Sequence, residues 1–119
     1  MAMEDLKILE WSPLGGILSE EAVRMKFPPP EYRVSPKFYK NSEVRPPASA
    51  REGLFFVLSG KCRCIFGGEK KLTAILEAGQ YVNFPSGEYR VEPLDDRDVE
   101  ILFVWNVLKI IETDSVNDK

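Results

Sequence analysis

From residue 53 onward, apolar and polar positions come in short blocks cut by turn residues, the pattern of a strand-rich domain. Leu54-Phe55-Phe56-Val57-Leu58 is a continuous apolar run closed by Ser59-Gly60. Residues 62–66 follow and stop at Gly67-Gly68, a hairpin signal. Residues 71–76, 81–84 and 88–92 read as three further strands, separated by Glu77-Ala78-Gly79 and Pro85-Ser86-Gly87. An acidic turn over 93–98 precedes 99–111, the longest apolar stretch. Strands at this spacing predict an all-β sandwich or barrel.

The first fifty residues read differently. Pro13, Pro28-Pro29-Pro30, Pro36 and Pro46-Pro47 rule out long helices and central strands there. Residues 19–26 suit a short helix, with Ser19 as N-cap and Glu20-Glu21 in the first turn. The alternation of Val23, Met25 and Phe27 with charged residues fits an extended arm equally well, so both readings stand. Residues 32–34 and 37–40 look like two short edge strands split by Pro36, and 45–52 like a polar loop. The expected organisation is one domain: an arm over 1–37 packing on or between barrels, a barrel over 38–111 and a flexible tail over 112–119.

Alternation also assigns faces. Phe55 and Val57 should point inward, leaving Leu54, Phe56 and Leu58 outside and in need of cover. Either the arm or a second subunit supplies it, and a homodimer is expected. Cys62, Cys64 and Phe66 share a face opposite Lys61 and Arg63, so the cysteines should look inward. The run 99–111 is apolar on both faces and must be covered on both; Trp105 within it reads as core.

Composition narrows the chemistry. The chain has 119 residues, enough for one hydrophobic core, and a formal charge of −3 that argues against a nucleic-acid surface. It has no apolar run long enough for a transmembrane helix, and its start lacks the apolar stretch of a secretory signal. Cys62 and Cys64 are one residue apart, too close for an unstrained bridge, and read as reduced thiols in a cytoplasmic setting. Two thiolates alone make an incomplete site for a soft metal. The acidic turn lacks the ligand spacing of a calcium loop. Most informative, the sequence contains no histidine, which removes Ser-His-Asp and Cys-His nucleophiles and every His-ligated metal centre.

The segment Gly79-Gln80-Tyr81-Val82-Asn83-Phe84-Pro85-Ser86-Gly87-Glu88-Tyr89-Arg90 resembles the second motif of the cupins. That motif is a glycine, five residues, Pro-x-Gly, two residues and a metal-binding histidine. Gly79, Pro85 and Gly87 fall in register, and Arg90 stands where the histidine would. Phe55-Phe56-Val57-Leu58-Ser59-Gly60 is similar to the end of the first motif, whose glutamate ligand falls on Gly53 and whose histidine pair falls within Pro46-Pro47-Ala48-Ser49. The resemblance, over residues 38 to 107, implies a cupin-like double-stranded β-helix, or jelly roll, without the metal. Gly79, Pro85 and Gly87 serve backbone geometry at its corners.

The resemblance also implies that the position of Arg90 faces the barrel interior. Arg90 would then be a cavity cation flanked by Glu88 and Glu92, suited to a small anionic ligand, with Tyr81, Asn83, Phe55, Cys62 and Cys64 completing the lining. The plainer alternative pairs Arg90 with Glu88 or Glu92 as a structural ion pair. For Asn83, a cavity position and a solvent position are equally open. Three functions follow: a metal-free small-molecule binder with no cofactor, a cofactor-independent isomerase, cyclase or lyase using Glu88, Arg90 or Tyr81, and a structural dimerisation or regulatory module with a packed core.

Overall fold

Short apolar segments cut by glycine and proline turns become strands in the computed structural model, which describes residues 4–12, 16–41, 46–67 and 72–107. The strands are β1 (Glu4–Asp5), β2 (Leu9–Glu10), β3 (Tyr32–Tyr39), β4 (Ala48–Ala50), β5 (Gly53–Ser59), β6 (Lys61–Phe66), β7 (Leu72–Glu77), β8 (Gln80–Phe84), β9 (Gly87–Pro93) and β10 (Val99–Asn106). A helix, α1 (Glu20–Lys26), lies between β2 and β3. They form two five-stranded sheets, ordered β1-β7-β6-β9-β4 and β2-β8-β5-β10-β3. From β3 to β10 the chain changes sheet at every connection except the β6–β7 hairpin. This is the jelly roll that the strand spacing predicts.

The expected corner residues sit where the chain changes sheet. Gly79 joins β7 to β8 at φ 94°, and Gly87 opens β9 at φ 132°. Side chains with a Cβ seldom adopt these angles. Pro85 lies between β8 and β9, where no ladder hydrogen bond is lost.

The core sits between the sheets. Phe55 and Val57 from β5, Cys62, Cys64 and Phe66 from β6, Leu76 from β7, Val82 and Phe84 from β8, and Val99, Ile101 and Phe103 from β10 are buried there. The predicted faces of β5 and β6 are therefore the observed ones.

A second cluster lies on the outside of the β2-β8-β5-β10-β3 sheet, and the N-terminal arm covers it. Trp11 and Val23 are buried against Phe56, Leu102 and Val104, with Leu54 and Leu58 packed alongside. The helical reading of 19–26 is the correct one: the Ser19 hydroxyl accepts a hydrogen bond from the Ala22 amide at 3.1 Å. Ahead of it the arm ties the sheets together, β1 pairing in parallel with β7 and β2 antiparallel with β8.

Two expectations are corrected. Residues 32–39 form one strand rather than two, with Pro36 in register with Leu102 of β10. An edge strand tolerates the missing donor because half its amides face away from its neighbour. The segment expected as a loop over 45–52 contains β4, which pairs with β9 from Ala48↔Tyr89 to Ala50↔Gly87. Three small residues after two prolines carry almost no strand signal. The tail over 112–119 and the end of the predicted last strand lie outside the described residues. Among the described residues, no helix is long and apolar enough to cross a membrane.

Candidate functional site

Strand β9 decides where the candidate site residues point. Its sequence, Glu88-Tyr89-Arg90-Val91-Glu92, alternates apolar and charged side chains, and the apolar ones turn inward: Tyr89 and Val91 are buried. Arg90 and Glu88 are exposed on the outer face, where Arg90 is in register with Ile65 of β6. The expectation of an inward Arg90 is corrected on this ground. Burying an aromatic ring is favourable, whereas burying an unpaired guanidinium is costly. The alternative ion pair differs as well: Glu92 pairs with Arg63 of β6 at 3.5 Å, both partly exposed. Such a pair contributes about 0–1 kcal/mol. Among the described residues Arg90 forms no ion pair.

The positions that hold metal in the resembled family do not fit one here. A Cβ on Gly53, where the glutamate ligand would stand, would lie 2.4 Å from the Val104 carbonyl oxygen and 3.0 Å from Cδ1 of Trp105. The histidine-pair region carries Pro46, Pro47, Ala48 and Ser49, of which Ala48 and Ser49 lie exposed on the edge strand β4. At the second motif, Tyr89 enters the interior in place of the expected residue at 90.

Aromatic rings fill the interior. Phe66 stacks on Phe84 at 5.0 Å and 12°, and Phe55 meets Phe103 edge-on at 5.2 Å. Phe84 and Tyr89 pack on Phe103 at 5.4 and 5.1 Å. Trp105 also stacks on Phe103, at 5.2 Å, and donates its indole N–H to the Arg51 carbonyl at 3.1 Å. Among the described residues no polar or charged side chain is buried.

Of the expected lining, Phe55, Cys62 and Cys64 are interior and the rest are outside. The two thiols are 3.7 Å apart. Burial pushes the Cys64 thiol well above its usual range, with the Cys62 contact adding to the effect. A buried, protonated thiol is a poor nucleophile and a poor ligand. Tyr81 stacks on Phe56 in the outer cluster at 4.8 Å, and Asn83 is exposed beside it. Of the catalytic candidates, Glu88 and Arg90 share the outer face of β9 and line a shallow pocket there with Pro47 and Ile65, whereas Tyr81 lies on the outside of the other sheet, so the three are not brought together.

The structure instead exposes two surface features that sequence reasoning missed. The outer face of the β1-β7-β6-β9-β4 sheet has no helix over it among the described residues. It shows Ile75 at 45% exposure, with Ile65 half-buried beside it and Ile8 at 40% nearby. The second feature is a groove at the end of α1, lined by Phe27, Tyr32, Glu52, Leu54, Asn83 and Val104 among others.

Two sheets linked by alternating crossovers, with glycine corners at Gly79 and Gly87, make this chain a cupin-fold protein. Solved structures agree. The cupin domain of Drosophila melanogaster CENP-C is similar at 17% identity and a TM-score of 0.50, covering 60% of this chain and 54% of that one. The chain thus spans about half the length of that protein. Drosophila CENP-C bound to CAL1 matches at 14% identity and a TM-score of 0.52, over 84% and 74% of the two chains. A Lactobacillus farciminis oxalate decarboxylase formate complex matches at 14% and 0.52, over 85% of this chain and 28% of that one. No family model matches the sequence, and no curated protein matches it.

Proposed function

We propose that this chain is a non-catalytic interaction module: a cupin-fold domain with a structural interior that self-associates through the outer face of its β1-β7-β6-β9-β4 sheet. The observation carrying this reading is the interior itself, where rings from both sheets meet and the polar candidates lie outside. A cupin-fold neighbour whose structure is of a complex with a partner protein, CENP-C bound to CAL1, supports a surface-based role for the fold. The exposed face fits a second copy because it mixes apolar and oppositely charged positions. Ile75 and Ile65 are flanked by Lys61 and Arg63 on β6 and by Glu88, Arg90 and Glu92 on β9, with Arg90 in register with Ile65. Isologous contacts need such self-complementarity.

Sedimentation velocity over a wide concentration range tests this. A concentration-dependent dimer is expected, and Ile75→Glu, an exposed position whose change leaves the core intact, should shift it to monomer. A monomer at every concentration, or a dimer indifferent to Ile75→Glu, would overturn the reading.

A further inference from the structure

The groove at the end of α1 has a composition unlike the rest of the surface. Its floor is Leu54 of β5 and Val104 of β10, which are in register across the sheet. One wall is Asn83, the β8 neighbour of Leu54. The other is an aromatic corner. Phe27 caps α1, and the chain then turns through Pro28, whose carbonyl accepts from the Tyr32 amide at 3.2 Å. That turn brings the two rings together at 75° with centroids 5.0 Å apart. The groove holds about 260 Å³, the scale of a single side chain or small metabolite.

Its electrostatics are one-sided. Among the described residues Glu52 is the only charged one in the lining, it is exposed, and no lysine or arginine lines the groove with it. Aromatic faces present negative potential, and a carboxylate beside a ring corner favours a cation over an anion or a neutral group. The Asn83 carboxamide oxygen adds an acceptor for an N–H donor.

We infer that this groove binds an alkylammonium group, the charged end of a lysine side chain or of a free amine of that size. The groove lies on the opposite sheet from the proposed self-association face, so either idea can fail without the other. The probe is Nα-acetyl-lysine methylamide, titrated into ¹⁵N-labelled protein, with its norleucine analogue as the uncharged control and n-butylamine as the free amine. Amide shifts should localise to residues around Glu52, Leu54, Asn83 and Tyr32, with the lysine compound binding more tightly than norleucine. Glu52→Gln should weaken it by about threefold, as loss of an exposed charge pair does. Tighter binding of the lysine compound than of n-butylamine assigns the group to a polypeptide, and equal binding assigns it to a free amine. Equal affinity for norleucine, shifts elsewhere or none, or indifference to Glu52→Gln would overturn the inference.

Discussion

The rings of Tyr89 and Phe103 meet at 61° with centroids 5.1 Å apart, and they come from opposite sheets. Phe66 and Phe84 bridge the sheets in the same way. Aromatic pairs of this kind contribute about 0.5–1.5 kcal/mol beyond their buried area. Their number here ties the two sheets together through the region where the resembled family keeps its metal.

Gly53 has a specific consequence. A methyl group there meets the backbone carbonyl of Val104 at 2.4 Å, and backbone cannot move aside cheaply. Gly53→Ala is expected to cost about 1–3 kcal/mol by overpacking. Urea denaturation measures it. An unchanged midpoint would mean that β5 and β10 are farther apart than described.

The thiols make stability depend on pH at the alkaline end. Burial raises the Cys64 pKa in the folded chain, so the unfolded chain releases that proton first as pH rises. The stability contribution is whole below the unfolded thiol pKa of about 8.5 and falls as pH climbs above it. The limiting slope is about 1.4 kcal/mol per pH unit for one thiol. Denaturation midpoints between neutral pH and pH 10 should show this decline, and Cys64→Ala should flatten it. In the native protein both cysteines should resist alkylation until denaturant is added; fast native labelling would contradict their burial.

Much of this fold is legible in the chain, and the failures are local. The run 62–66 assigns its own faces because Lys61 and Arg63 settle which side is wet, and 54–58, apolar at every position, is placed by alternation alone. Ser19 marks the helix start through ordinary cap chemistry. Strand β9 carries the same signal in Tyr89 and Val91, yet counting along the cupin motif to Arg90 points the other way, and the alternation is the better guide. Tyr81 could not be placed by alternation because β8 is covered on both sides, by the interior and by the arm. The groove needs Phe27, Glu52 and Asn83 brought together from three elements, and no local pattern shows that.

The arm is the next testable part. Val23 is fully buried on Phe56, Leu102 and Val104. Val23→Ala should cost about 1.5–3 kcal/mol. Val23→Asp should release the helix and expose the outer cluster, read as a rise in binding of a hydrophobic dye. No rise would mean that the cluster needs no cover.

The most direct test of the filled interior compares two adjacent residues. Tyr89→Ala should lower the urea-unfolding free energy by about 3 kcal/mol or more, as large-to-small core changes do. Arg90→Ala should stay within about 0.5 kcal/mol, as exposed positions do. A larger loss at Arg90 than at Tyr89 would put the guanidinium inside and contradict the account.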